Sequence, residues 1–93
     1  GKLDDALRDL NQAVALSPRS FKAIYNRGRV FMQKQRWAEA INDLTRATSL
    51  KEKNPKPYHL LGDAYSRMGD EEKALLYWEL ARRLEKGSSD NVS

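Results

Sequence analysis

The chain has 93 residues, with 17 Lys and Arg against 13 Asp and Glu, a formal net charge of +4, no cysteine and a single histidine. A chain of this length holds one small domain with a modest core. Its 32% charged and 40% hydrophobic residues include no apolar run near the roughly 20 residues that cross a bilayer, which argues against membrane insertion.

Without cysteine there is no disulfide, thiolate nucleophile or thiolate metal ligand, so the redox compartment stays open. The opening Gly1-Lys2-Leu3-Asp4-Asp5 lacks the apolar stretch of a signal peptide, and Gly1 reads as the edge of a longer chain from which a targeting segment could have been removed. Cytoplasm is the default location for such a sequence.

Taken in order, Asp4 to Leu16 places Ala6, Leu7, Leu10, Ala13 and Val14 at helical spacing and stops at Ser17-Pro18. Phe21 to Lys34 is the second helix, with Ser20 as its N-cap and Phe21, Ile24, Val30 and Phe31 as its apolar positions. Gln35-Arg36 turns the chain into a third helix, Trp37 to Leu50. Asn54 caps the fourth, Pro55 takes its first position, where a missing N–H costs nothing, and the helix runs to about Met68. Gly69-Asp70 forms the next turn. Asp70 caps a final helix from Glu71 to about Lys86, where Gly87 is expected to stop it and leave residues 88–93 as a disordered polar tail.

These helices carry an internal repeat with a fixed step of 34 residues: Ala6, Ala40, Ala74; Ala13, Ala47, Ala81; Leu16, Leu50, Leu84; Leu10, Leu44, Trp78. Gly28 and Gly62 keep the step, as do Phe31 and Tyr65. A period in this range means stacked helical hairpins, which bury their apolar faces against neighbouring copies and present an extended surface rather than a catalytic cavity. The expected fold is all-α: five helices in a right-handed superhelical solenoid, made of half a repeat (1–18), a complete repeat (19–52) and another (53–86). Gly28 and Gly62 are expected beside large groups, with Ala40 and Ala74 facing them so that paired backbones approach closely.

The pattern resembles the tetratricopeptide repeat family. Ile24, Gly28, Phe31, Ala40, Leu44 and Ala47 fall on its signature places in one copy, and Tyr58, Leu61, Gly62, Tyr65, Ala74, Trp78 and Ala81 in the next. Tyr25 and Asn26 also resemble the consensus, and Leu3, Ala6, Leu10, Ala13 and Pro18 match in the opening half-repeat. Departures are Arg27 in place of an aliphatic residue, Glu52 and Lys86 where proline is common, and Glu71 where an aromatic is favoured. The constant step argues against the pentatricopeptide family, whose hairpins read RNA.

The resemblance implies a non-catalytic scaffold for protein–protein interaction within an adaptor or co-chaperone, with the first helix of each hairpin lining a concave face. Residues left there after packing positions are assigned are Lys22, Tyr25, Asn26, Arg29 and Gln33, then Lys56, His59, Asp63 and Arg67. Their positive balance suits an acidic or carboxylate-terminated peptide. Some family members hold the acidic tails of chaperones in a carboxylate clamp; Asn26 and Lys56 match two clamp positions, but Leu60 stands where the arginine belongs, and the helix carrying two further members is missing.

The last helix adds a second expectation. Leu76, Tyr77 and Leu80 are apolar where earlier copies carry Arg8 and Asn42, Asp9 and Asp43, Gln12 and Arg46. Such a face is expected to pack on another element or on a second copy, as in a homodimer. The alternative function is therefore an assembly segment.

Other chemistry is not expected. His59 has no second imidazole or thiolate with which to hold zinc or copper, and no cofactor is implied. Asp4-Asp5 and Asp70-Glu71-Glu72 lie at helix starts, where carboxylates complement the dipole. No phosphate-binding glycine loop and no nucleophile triad spacing occurs, so the chain is not expected to be an enzyme. Arg82, Arg83 and Lys86 complement the negative end of a helix rather than forming the aromatic-interleaved basic face that nucleic acid requires.

Overall fold

The computed structural model describes residues 1–90, with side chains through Gly87. Five helices follow one another: α1 (Lys2–Leu16), α2 (Phe21–Gln33), α3 (Trp37–Leu50), α4 (Pro55–Arg67) and α5 (Glu71–Asp90). Their ends are set by local chemistry. The Ser20 hydroxyl accepts from the Ala23 N–H at 3.2 Å, the Asn54 side chain from the Lys56 N–H at 3.0 Å, and Asp70 from the Lys73 N–H at 3.2 Å, each meeting a donor that has no partner inside its helix. The two hairpin turns use left-handed residues, Gln35 at φ 60° and Gly69 at φ 87°.

One boundary differs from expectation. Gly87 does not end α5, which continues to Asp90. Glycine stops a helix by taking a left-handed cap; Gly87 has no positive φ, and as an interior residue it costs only about 1 kcal/mol. Residues 91–93, the remainder of the expected tail, lie outside the described residues.

Each helix packs on its neighbours in sequence, and α2 also touches α4. Among the described residues α1, α3 and α5 make no comparable approach to one another. The first helices of the hairpins thus lie together on one side while the second helices spread on the other, which gives the stack its curvature.

The core is built from the repeat itself. Ala40, Leu44, Ala47, Leu61, Ala64 and Ala74 are 0% exposed, and Phe31, Ala40, Leu44 and Leu61 form its central cluster. The alanines let helices approach closely, and Leu44 fills the space beside Gly28: a methyl there would sit 3.1 Å from Leu44 Cδ2. At Gly62 the neighbour is Trp78, whose ring a methyl would overlap. The atoms nearest the glycines are those of Leu44 and Asp43 at Gly28 and of Trp78 at Gly62, and Ala40 and Ala74 are wholly enclosed. No residue of α1, which packs on α2 alone, is buried.

Candidate functional site

On the inner side, α4 carries Lys56, His59, Asp63 and Arg67 at intervals of three or four residues, so they share one face of the helix. A furrow follows this face. Its first part, about 460 Å³, lies among Tyr25, Pro55, Lys56, His59, Leu60 and Glu85. A middle part, about 380 Å³, shares His59 and Glu85 with the first and adds Asp63, Trp78, Ala81 and Arg82. The last part, about 450 Å³, shares Asp63 and Trp78 with the middle and adds Met32, Gln33, Trp37, Ser66 and Arg67.

Of the residues expected on the concave face, the structure brings Tyr25, Gln33, Lys56, His59, Asp63 and Arg67 into this furrow. Lys22, Asn26 and Arg29 lie on α2 outside its lining. Arg29 still borders it, because its guanidinium sits 6.0 Å from the centre of the Tyr25 ring. Burial raises the Tyr25 phenol above its usual pKa, against the opposing pull of the Arg29 charge, so the hydroxyl is a neutral donor at physiological pH.

Two of the cations around the furrow, Arg29 and Arg67, lie against aromatic rings. The Arg67 guanidinium lies 5.7 Å from the centre of the Trp37 ring, a cation–π arrangement that orders the side chain while leaving N–H groups free to point outward. Asp63, the carboxylate of this row, accepts the Trp78 indole N–H at 3.0 Å and stands 4.0 Å from His59 Nε2. Lys56 and Arg67 thus remain as the positive ends of the α4 row, and the lining between them is mixed, with Leu60, Ala81 and Trp78 beside His59, Asp63, Arg82 and Glu85.

Sequence reasoning missed the contribution of α5 and the α3 start. Trp78 belongs to the packing series of Leu10 and Leu44, which removed it from the list of groove residues, yet it both covers Gly62 and faces the furrow. Trp37 opens α3 at the place of Leu3 and Glu71; a large ring there was the available signal. Leu60 contributes an apolar wall beside Tyr25 where a clamp would place a guanidinium.

The expected apolar face of α5 is divided. Leu76 is 57% exposed, but Tyr77 turns inward, stacked on Tyr65 with centroids 5.5 Å apart and on Tyr58 at 6.4 Å. Burial, followed by the neighbouring Tyr65 and Tyr58, raises the Tyr77 pKa. Leu80 is half-buried. The exposed apolar neighbour of Leu76 is instead Leu75, at 62%. Among the described residues no helix is long and apolar enough to cross a membrane.

The repeat step, the buried glycine contacts and the paired helices agree with two family models, one described as TPR repeat over residues 28–69 and one as Tetratricopeptide repeat over residues 55–85. The chain belongs to the tetratricopeptide repeat family. Two curated relatives of this tetratricopeptide chain are the BBSome complex member BBS4 homolog of Drosophila melanogaster, 30% identical over 82 residues, and BBSome complex member BBS4 of Bos taurus, 35% identical over 81. These alignments cover 88% and 87% of the chain but only 17% and 16% of the relatives. A crystal structure of MamA superimposes with a TM-score of 0.91 at 25% identity, over 96% of this chain and 52% of that one. The Yersinia enterocolitica type III secretion translocator chaperone SycD superimposes with a TM-score of 0.86 at 18% identity, over 90% of this chain and 64% of that one, a likeness of fold alone.

Proposed function

We propose that this tetratricopeptide segment is a non-catalytic interaction module of a larger adaptor or co-chaperone, and that it takes an acidic peptide along the inner face of α4. The carrying observation is the furrow running from Lys56 to Arg67, cationic at both ends and lined between them by Leu60, Ala81 and Trp78 together with His59, Asp63, Arg82 and Glu85. A peptide laid along it can pair carboxylates with Lys56 and Arg67, approach Arg29 at the rim, and pack side chains on Tyr25, His59 and Leu60. Asp63 and Glu85 limit the positive field, so registration falls to the ends of the furrow. A chaperone's acidic tail has the required chemistry; Leu60 makes this reading surface part apolar rather than a complete carboxylate clamp. The curated relatives are named as members of a complex, which supports a role in holding other proteins.

The test is the affinity of a fluorescein-labelled acidic peptide for Lys56→Glu and Arg29→Glu. Each is expected to weaken binding about tenfold at low salt, and added salt is expected to weaken binding to the wild type. Unchanged affinity in both variants contradicts the reading.

A second reading has its own support in the adjoining exposed side chains of Leu75 and Leu76: assembly of the parent protein, or of a homodimer, through α5. Sedimentation velocity distinguishes it. Concentration-dependent association abolished by Leu76→Lys favours assembly, and a monomer at high concentration excludes the homodimer.

A further inference from the structure

Both tryptophans of the chain meet at one end of the furrow. We propose that the cleft between Trp37 and Trp78 selects an aromatic side chain that has a carboxylate beside it in the bound peptide; the inference rests on the acidic-peptide reading and specifies the sequence recognised.

Space is the first argument. The cleft is open and of about 450 Å³, large enough for a bulky ring with its backbone. Surface chemistry is the second. The Trp78 N–H is already donated to Asp63 at 3.0 Å, so the indole offers the cleft its apolar body, and Met32 adds a polarisable thioether of the kind that favours aromatic contact.

Charge decides between a ring and a cation. Two indoles could attract a lysine or arginine of the ligand, but the Trp37 face already carries the Arg67 guanidinium at 5.7 Å, and a second positive charge is repelled there. Asp63 keeps its negative charge while accepting the Trp78 N–H and offsets part of this repulsion, but the Trp37 face itself is occupied by Arg67. A neutral ring meets no such opposition and can stack on the open side of the guanidinium plane. The same guanidinium presents its N–H edge to a carboxylate next to that ring.

Spacing ties this end to the other. Lys56 and Arg67 lie on one helix, separated by about 16 Å at 1.5 Å per residue, which about five extended residues cover. A short peptide can therefore reach Lys56 with one carboxylate while its aromatic and acidic pair occupies the tryptophan cleft.

The experiment measures polarisation of two fluorescein-labelled octapeptides, Asp-Glu-Phe-Glu-Ser-Gly-Asp-Asp and the same peptide with alanine for phenylalanine, against the wild type, Trp37→Ala and Arg67→Gln. Circular dichroism establishes that each variant is folded. The phenylalanine peptide is expected to bind the wild type about tenfold more tightly. That preference is expected to vanish in Trp37→Ala, which binds the two peptides equally. Arg67→Gln, an exposed substitution, keeps the test decisive if Trp37→Ala does not fold, and is expected to reduce the preference. Equal binding of both peptides to the wild type overturns the aromatic selection but leaves acidic recognition standing. Binding of neither overturns both, and a preference that survives both substitutions overturns the placement at Trp37 and Trp78.

Discussion

Arg27 donates two parallel hydrogen bonds of 2.8 Å to the Asp43 carboxylate, joining α2 to α3 through a pair whose side chains are 23% and 5% exposed. The guanidinium also reaches Asn11 of α1 at 3.3 Å, so one side chain ties three helices. These hydrogen bonds raise the Arg27 pKa above the ordinary guanidinium range. At the corresponding places 34 residues later stand Leu61 and Tyr77, an apolar solution to the same contact. Removing one partner leaves the other charge enclosed, and Arg27→Leu is expected to cost about 3 kcal/mol. The double variant Arg27→Leu, Asp43→Tyr reproduces the later repeat and is expected to recover all but about 1 kcal/mol. Urea unfolding of the wild type, both singles and the double checks this; a double no more stable than the singles contradicts it.

The two repeat glycines are expected to differ in tolerance. A methyl at Gly62 would lie 2.8 Å from Trp78 Cγ, against a rigid ring held by Asp63, whereas at Gly28 it meets the movable Leu44 side chain at 3.1 Å. Gly62→Ala is expected to cost about 2 kcal/mol through overpacking. Gly28→Ala should fall within about 1 kcal/mol of the wild type, because better helix propensity offsets the tighter contact. Thermal melts of both variants, and of Gly62→Ala with Trp78→Leu as a rescue, make the comparison.

Ala74 is wholly enclosed. Ala74→Leu is expected to cost about 1–3 kcal/mol, and an unchanged thermal midpoint contradicts its placement between α4 and α5.

Acid should loosen the contact between α1 and α2. Lys34 hydrogen-bonds Asp4, and that bond, with the lysine charge, lowers the Asp4 pKa. A carboxylate with a depressed folded pKa contributes stability above its unfolded value, about pH 4, and loses it as pH falls through the folded value. Asp4→Asn is therefore expected to melt lower than the wild type at pH 7, with the gap closing as pH falls through the depressed Asp4 value. A gap that persists below that value assigns the loss to packing instead.

Much of the scaffold was legible because its determinants are local. Ser20, Asn54 with Pro55, and Asp70 mark helix starts by their own hydrogen-bonding chemistry, and the 34-residue step identifies the alanines and glycines that enclose the core. The Arg27–Asp43 bond was not legible, since two polar residues 16 apart carry no sign that they meet. Tyr77 was expected outside because its counterparts in the earlier copies are acidic; one of them, Asp43, is itself buried, held by Arg27. The furrow was legible only along α4. Assigning each position either to packing or to ligand hid Trp78, which serves both, and the walls that Glu85 and Trp37 contribute from other helices depend on how the hairpins stack.

The most direct measurement is an amide NMR titration with an acidic peptide bearing a free C-terminal carboxylate, repeated with the amidated peptide. Acidic-peptide recognition along α4 predicts saturable shifts confined to residues 22–33 and 56–67, the α5 wall at Ala81, Arg82 and Glu85, and the Trp37 and Trp78 indole N–H signals, and their loss or marked weakening on amidation. No shifts, or shifts only around Leu75 to Leu80, contradict it and leave α5-mediated assembly as the working function.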